Sequence, residues 1–266
     1  MQDKSKYINL FIKLVATNLL GLFFCYTVSA NNSSYIALSN HIAQRTKLEV
    51  SANNTANVNT VGYEADGVIF KNIDLKQSSS RSNSFVYADG TYMSEGSGPI
   101  KMTHRPLDMA IAGYGYFKII TSRGERYSLN GAAFLNNEYV LVNTDGLPFA
   151  SRGGQQITLP ADTVDVRISE DATVYADGDE IDIIGIFSFV EPNGLVKEGN
   201  NLYISRVRDI LLDEYTVVSG ALRGSNVNSA KSMTEMIELQ RSASMTNNLL
   251  SNVAELEKSV ITKVAK

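Results

Sequence analysis

Few residues in this chain combine a reactive side chain with the spacing that chemistry requires. The sequence contains one cysteine, Cys25, and two histidines, His41 and His104. A structural Cys/His zinc site needs four such ligands, and a disulfide needs a second cysteine. The composition therefore excludes a disulfide framework and a Cys/His zinc site.

The two histidines have no nucleophile in a recognisable setting. His104 precedes Arg105, but the chain contains neither a Gly-x-Ser-x-Gly elbow nor a cysteine with a histidine partner. His41 lies in a polar helical pattern, where we expect a surface or an interface. The sequence predicts no catalytic residue, and we expect the protein not to be an enzyme.

Two short clusters resemble ligand sites only in part. Residues 112–117, AGYGYF, contain Gly-x-Gly but lack the third glycine and the following helix that direct amides at a phosphate. Residues 175–182, YADGDEID, are acidic but lack a twelve-residue calcium loop with its final glutamate. We expect a strand bulge and a hairpin tip, with no cofactor and no metal site.

The charge balance excludes a further class of partner. The chain has 266 residues, 24 Lys and Arg, 28 Asp and Glu, and a net charge of −4. Binding to a nucleic-acid backbone needs clustered cations, and no basic block occurs. We therefore expect no nucleic acid and no small-molecule substrate. The length suffices for one large or two small domains.

The first thirty residues have the composition of a targeting segment. Three lysines, Lys4, Lys6 and Lys13, precede an apolar run over 14–25, and Val28–Ala30 resembles a cleavage site. The apolar run is shorter than the ~20 residues that a membrane-spanning helix needs. We interpret residues 1–30 as a signal-like or misassigned extension, and expect membrane contact only if they are retained.

Residues 34–58 have the pattern of an N-terminal helix. They contain no Pro or Gly, and residues 31–34 offer N-caps. Arg45 and Glu49 interrupt the apolar side, so this helix needs a partner surface. The apolar positions, at intervals typical of one helix face, are Tyr35, Leu38, Ile42, Ala52 and Ala56.

The C-terminal region repeats this pattern over a longer stretch. Residues 225–266 contain no Gly or Pro, and a 3-4 spacing runs along them. The spacing predicts a helix that pairs with the N-terminal helix as a coiled coil and also contacts neighbouring chains. The alternative is a helix packed on its own domain. The seam positions are Leu239, Ala243, Thr246, Leu250, Val253, Glu257, Val260 and Val264.

The middle of the chain changes to a period of two. Residues 164–169, VDVRIS, and 180–184, EIDII, alternate apolar and polar side chains. Four dipeptides are typical of hairpin turns: Asp89-Gly90, Asp145-Gly146, Asp177-Gly178 and Asn193-Gly194. We expect an all-β domain over residues 96–215, enclosed between the two helices.

The remaining boundaries follow from composition. Residues 31–62 contain the N-terminal helix and an Asn-rich motif, residues 63–95 form a linker or extended segment, and residues 216–266 hold the C-terminal helix. Within the linker, the Ser-rich residues 74–85 are expected to be exposed. The predicted fold is mainly β with terminal α-helices.

Three blocks of the sequence resemble one protein family. They are ANNTANVNTVGY at 52–63, PLDMAIAGYGYFKI at 106–119 and SGALRGSNVNSAKSMTEMIELQRS at 219–242. In this order they resemble the flagellar rod and hook family, most closely its proximal-rod members. Arg223 departs from the pattern, because an acidic residue is usual there, and a charge contact at the start of the C-terminal helix is then expected to change. Residues 128–131 also depart.

The resemblance implies a structural subunit of the bacterial flagellar rod, in the periplasm, that serves motility. Such subunits are exported uncleaved through the flagellar type III apparatus, and the resemblance implies assembly with other rod proteins and an option of assembly with copies of the same chain. Two alternatives stay open: a distal-rod or hook-type member, or a β-rich adhesin exported through the Sec pathway.

Two sets of residues are predicted to form the assembly interface. Asparagine side chains both donate and accept hydrogen bonds, so an Asn-rich segment can end a helix and also bind a neighbouring chain. The polar set is Asn53, Asn54, Asn57, Asn59 and Thr60, and the helix-pairing set is Leu239, Leu250, Val253 and Val260.

Overall fold

The computed structural model describes residues 34–78, 81–94, 96–190 and 194–264. The signal-like residues 1–30 and the proposed cap residues 31–33 lie outside this part of the chain. Within it, the fold is mainly β, with helix α1 over residues 34–56 and helix α2 over Ser229–Val264. Neither α1 nor α2, as far as the chain is described, is long and apolar enough to cross a membrane.

The described residues divide into two compact units. The first contains residues 34–50, 68–90 and 235–264, and we call it the helical unit. The second contains residues 51–67 and 91–234, and we call it the β unit. Each helix and each of the first two strands contributes to both units.

Strands β1 and β2 form a two-stranded sheet in the region predicted to be a linker or extended segment. β1 runs over Asp66–Ser78 and β2 over Arg81–Met93. The Ser-rich stretch therefore belongs largely to strands. The turn predicted at Asp89-Gly90 is wrong, because both residues lie within β2. There the Asp89 carboxylate forms an ion pair with Lys71 of β1, 2.6 Å long.

Two further sheets make up most of the β unit. The larger contains β5 (Tyr116–Thr121), β6 (Gly124–Ser128), β12 (Ile186–Phe189), β13 (Leu195–Gly199), β14 (Leu202–Ser205) and β15 (Asp209–Leu211). The smaller contains β9 (Val166–Ile168), β10 (Thr173–Ala176) and β11 (Asp179–Ile183). The six-stranded sheet has the order β13-β14-β6-β5-β12-β15, and the three-stranded sheet has the order β11-β10-β9.

Three short strand pairs complete the β unit. β7 (Phe134–Leu135) pairs with β8 (Leu141–Val142). β3 (Ile100–Met102) pairs with β17 (Ala221–Arg223), and β4 (Met109–Ala112) pairs with β16 (Thr216–Ser219). The last two pairs join the beginning of the β unit to its end, so the strands continue past the predicted boundary at residue 215.

A backbone hydrogen bond joins a residue before β1 to the last residue of β17. The Gly62 amide donates to the Arg223 carbonyl at 2.7 Å. Both residues belong to the β unit.

Apolar side chains of the sheets pack into two clusters. In the larger cluster Phe117 and Phe149 are fully buried and meet edge to face, with ring centroids 5.8 Å apart. The second cluster contains Tyr127, Phe189 and Tyr203. Burial of such large side chains provides the main driving force for folding of this unit.

Local patterns predicted several details of the β unit. In β9, Val166 and Ile168 are buried and Arg167 is exposed, as the alternation predicted. The turn at Asp177-Gly178 is confirmed, since both residues have positive φ, 52° and 98°, between β10 and β11. Asp145-Gly146 also lies in a turn, whereas Asn193 is outside the described residues.

Candidate assembly interface

The helical unit brings α1 and α2 side by side. The Gln44 side-chain amide donates to the Ser242 hydroxyl at 3.0 Å, and Lys47 forms an ion pair with Glu235 at 2.6 Å. As the residue number rises along α1, the number of its contact partner on α2 falls, so the two helices are antiparallel. Between them Ala43 is buried.

The predicted seam of α2 has two parts. Leu239, Leu250 and Val253 are half-buried, together with Ala243 and Thr246 between them. Val260 is exposed, and it lies in a stretch after Val253 where every described side chain of α2 is exposed. The structure thus places three of the four predicted seam residues on a partly covered side.

The apolar positions of α1 lie on a different side from its contacts with α2. Tyr35, Leu38 and Ile42 are 61%, 44% and 56% exposed, and Ala52 and Ala56 are exposed as well. The positions that α1 buries are Ala43, Ser51 and Asn54. The hydrogen bonds and the ion pair of α1 to α2 come from Gln44, Lys47 and Ser51, and the apolar stripe of α1 is exposed.

Asn54 of the Asn-rich motif is an internal residue. Its amide nitrogen donates to the Asp66 carbonyl at 2.8 Å, and its oxygen accepts from the Asp66 amide at 2.9 Å and from the Tyr63 hydroxyl at 3.0 Å. Asn54 is buried; two of these bonds tie the last turn of α1 to the first residue of β1, and the third ties it to Tyr63.

The other predicted polar residues stabilise the turn after α1 or face solvent. Asn57 donates to the backbone and side-chain oxygens of Asn53, both at 2.9 Å, and accepts from Thr60 at 3.1 Å. Asn53 and Asn59 are exposed, and Asn57 and Thr60 are half-buried. Asn53 and Asn59 are therefore the members of this set most open to another chain.

Tyr63 links the motif to the six-stranded sheet. Its hydroxyl donates to Asn53 and Asn54, and the Lys197 ammonium lies 4.4 Å from the centre of its ring. Lys197 also forms an ion pair with Asp66 at 2.9 Å. Burial, with a smaller effect of the Asp66 charge, raises the pKa of Tyr63 to about 12, so its hydroxyl stays a donor at neutral pH.

Glu64 and Arg223 are ionisable groups held near Tyr116. Burial raises the pKa of Glu64, opposed in part by the hydrogen bond that Tyr116 donates to it at 3.2 Å and by the Arg223 charge. Arg223 is buried and donates to the Ile111 and Gly113 carbonyls. Burial lowers the pKa of Arg223 below its ordinary value. In place of a charge contact at the start of α2, Arg223 thus makes hydrogen bonds to backbone carbonyls within the β unit.

Two asparagines that were not singled out from the sequence fix the start of α2. Asn226 accepts from the Ala65 amide at 2.6 Å and donates to the Gly96 carbonyl at 2.9 Å. Asn228 caps α2 by accepting from the Lys231 amide at 3.0 Å. The spacing Asn-x-Asn just before a stretch without Gly or Pro was the available signal.

The residues considered for chemistry are dispersed. His41 is half-buried on α1, and His104 is exposed with a positive φ of 59°. The Asp177 carboxylate accepts from the Val164 and Asp165 amides, which holds the hairpin of the three-stranded sheet. Across the described ranges, no group of three His, Cys, Asp or Glu side chains could hold a metal ion.

Comparison with known proteins shows that three segments of the chain match family models. The flagella basal body rod protein model matches residues 35–63, and the flagellar hook protein FlgE/F/G D1 domain model matches residues 110–176. The model of the flagellar basal body rod FlgEFG protein C-terminal region matches residues 218–263. FlgG of Bacillus subtilis is 32% identical over 84% of this chain and 96% of its own length. The chain belongs to the flagellar basal-body rod protein family.

Other members of the rod family are similar over nearly their whole length. FlgF of Caulobacter vibrioides is 29% identical over 89% of this chain and 99% of its own length. FlgF of Mesorhizobium japonicum is 30% identical over 84% of this chain and 93% of its own length. The family model that matches residues 35–63 covers nearly all of α1 together with the Asn-rich motif. The family model that matches residues 218–263 covers nearly all of α2. As a member of this family, the protein is a component of the flagellar basal body.

Proposed function

We propose that this protein is a structural subunit of the flagellar rod in the periplasm and that it assembles through α1 and α2. The observation that carries the proposal is the pair of family matches over the two helices, where several exposed apolar side chains also lie. A helix pair with this much exposed apolar surface gains stability when a neighbour covers it.

Within one chain, α1 and α2 would pair as a short coiled coil. The half-buried Leu239, Leu250 and Val253 support this, because they lie on the side of α2 that also carries Ser242, the partner of Gln44. Val260 would extend the seam to a neighbouring subunit, since its side chain is exposed.

The polar part of the interface would be formed by the exposed asparagines. Asn59 is available to donate and accept across a contact and the Asn53 amide to donate, with Asn57 and Thr60 holding the turn between them. Asn54 would contribute from inside the chain by fixing that turn on β1.

The partners would be other rod proteins and copies of this chain. A contact between two different surfaces does not close on itself and produces a helical assembly, as a rod requires. The FlgF relatives favour a place in the proximal rod. No catalytic role is proposed, since the relatives named are basal-body rod proteins.

The test replaces Leu250 and Val253 together with Asp. Two carboxylates in a half-buried apolar seam carry a large desolvation cost, so the variant should be absent from purified basal bodies and the cells should not swim. The matched control replaces Asn247 and Ser251 with Asp, because these exposed residues lie on the same helix. Circular dichroism of both variants should show an intact β unit. Normal motility of the seam variant would refute the proposal.

A further inference from the structure

The exposed side of α1 has the spacing of a helix-pairing seam. Tyr35, Leu38, Ile42, Arg45 and Glu49 follow one another at intervals of three and four residues. All five are exposed, and we call them the outer stripe. Arg45 and Glu49 form an ion pair with each other at 3.0 Å. Intervals of three and four place these side chains on one line along the helix.

A comparable line runs along α2, away from its half-buried side. It consists of Ile237, Arg241, Met245, Leu249 and Leu256, and we call it the outer row. The four apolar members are 51%, 69%, 54% and 65% exposed, and Arg241 is exposed too. Both lines belong to the helical unit.

We propose that the outer stripe of α1 packs against the outer row of α2 from a second copy of this chain, with the two helices antiparallel. The inference rests on the proposed function and specifies which surfaces meet during assembly. It assigns the contact to sides of the helices that their pairing within one chain leaves uncovered.

One antiparallel register matches the two lines. When Glu49 lies opposite Arg241, Ile42 lies opposite residue 248, beside Leu249, and Tyr35 lies opposite residue 255, beside Leu256. Unlike charges then meet at one end of the contact, Arg45 lies opposite Met245, and the apolar half of the outer stripe lies beside Leu249 and Leu256. Burial of these apolar side chains would drive the association.

A parallel arrangement cannot use the same charge pair. With Glu49 opposite Arg241 in parallel helices, Tyr35 would lie opposite residue 227. That position precedes α2, which begins at Ser229. The apolar half of the outer stripe would therefore have little of α2 to contact. The charge pair and the overlap of the helices together select the antiparallel arrangement.

The register differs from the one inside a single chain. There Lys47 meets Glu235 and Gln44 meets Ser242, on other sides of both helices. A disulfide between positions 42 and 249 would thus report contact between copies.

The first test introduces Ile42→Cys and Leu249→Cys into the full chain, with Cys25→Ser as the background. After oxidation of purified basal bodies, we expect a ladder of disulfide-linked copies on a non-reducing gel. The matched control combines Ile42→Cys with Asn247→Cys, because Asn247 is exposed but lies off the outer row. The control should give several-fold less ladder. A variant present in basal bodies without a ladder, or linked only within one chain or to another protein, would overturn the proposal.

The second test exchanges the charges of the pair in the same cysteine background. Glu49→Arg and Arg241→Glu should each reduce the ladder several-fold, because like charges would then face each other. The double variant should restore it. Single variants that cross-link normally, or a double variant that does not recover, would contradict the register. Absence of the unmodified chain from basal bodies would instead refute the proposed function itself.

Discussion

At the scale of single residues, Asn53 and Asn54 are adjacent in the sequence but use their amides differently. Asn54 both donates and accepts in its bonds to Asp66, whereas the Asn53 side chain acts as an acceptor, from Tyr63 and Asn57. The chemistry of each amide therefore decides which substitution it tolerates.

Asn54→Asp should destabilise the chain, and Asn53→Asp should not. A carboxylate at position 54 cannot donate to the Asp66 carbonyl, and the buried mismatch should cost about 1–3 kcal/mol. At the exposed position 53 the change should stay within about 0.5 kcal/mol, because the acceptor oxygens are retained. Urea denaturation of the two variants measures the difference. Equal losses would show that the amide of Asn54 is not needed as a donor.

Glu64 should make stability depend on pH. Its pKa is raised by burial, so the folded chain keeps the proton to higher pH than the unfolded chain does. The free energy of unfolding should therefore fall as pH rises from about 4, the ordinary range of a glutamate, through the raised pKa. Below this pH range the Glu64 carboxyl is protonated in both states, and its burial carries no charge penalty. Above the range the folded chain carries the full cost of the buried charge.

Glu64→Gln removes the titratable carboxyl group but keeps an oxygen that can accept a hydrogen bond from Tyr116. The difference in unfolding free energy, unmodified chain minus variant, should decrease with rising pH in urea titrations. A difference that is flat or increases would contradict the assignment.

At the scale of elements, the sequence predicted what local periodicity determines. The alternation of Val166, Arg167 and Ile168 correctly predicted β9, and the stretches without Gly and Pro predicted both helices. Periodicity identifies a side of a helix but not its partner, and so the sequence alone could not show that α1 leaves its apolar stripe exposed. The dipeptide at Asp89-Gly90 failed because pairing of β1 with β2 outweighs a local turn preference.

The candidate site depended more strongly on distant contacts. Asn54 binds Asp66 twelve positions away, and Arg223 binds the Ile111 carbonyl 112 positions away. No periodic pattern encodes such pairs. The family motifs located the segments, but only the folded chain separates the inward Asn54 from the exposed Asn53 and Asn59.

The junction between α1 and β1 should depend on Gly62. Its φ is +69°, and a Cβ there would lie 2.6 Å from backbone atoms of Leu129 and Asn130. Gly146 has a similar φ of +76° but no heavy atom within 4 Å of that position. Gly146→Ala should cost about 1–2 kcal/mol from the left-handed backbone alone. Gly62→Ala should cost about 3 kcal/mol or more, because a clash is added.

Urea denaturation of the two glycine variants makes this comparison directly. Similar losses for Gly62→Ala and Gly146→Ala would mean that the close approach to Leu129 and Asn130 relaxes without cost.

At the scale of the whole molecule, the two units differ in how much they bury. The β unit holds the fully buried aromatic and aliphatic side chains, such as Phe117 and Phe149. In contrast, no described side chain of α2 is buried, and α1 buries only Ala43, Ser51 and Asn54. Local stability follows buried apolar contacts, so the helices should open far more readily than the sheets.

Amide hydrogen exchange on the free monomer tests this difference. We expect rapid exchange over residues 34–50 of α1 and over the second half of α2, and slow exchange in the six-stranded sheet. Incorporation into basal bodies should slow exchange in both helices. Strong protection throughout α1 in the isolated chain would refute the expectation.

The hydrogen bond from Gly62 to Arg223 bears on the order in which the chain folds. Gln44 and Ser242 are 198 positions apart, and joining them directly requires closing that entire loop. Once Gly62 and Arg223 are joined, the connecting path shortens to about 40 residues, which reduces the entropic cost of closure by about 1.5 kcal/mol.

The β unit should therefore fold before the helices pair, and pulse-labelled exchange should detect its protection first. A chain whose β unit is unfinished would lack the paired helices that we propose as the assembly surface. Completion of one unit would thus act as a checkpoint, so that only correctly folded copies become competent to polymerise.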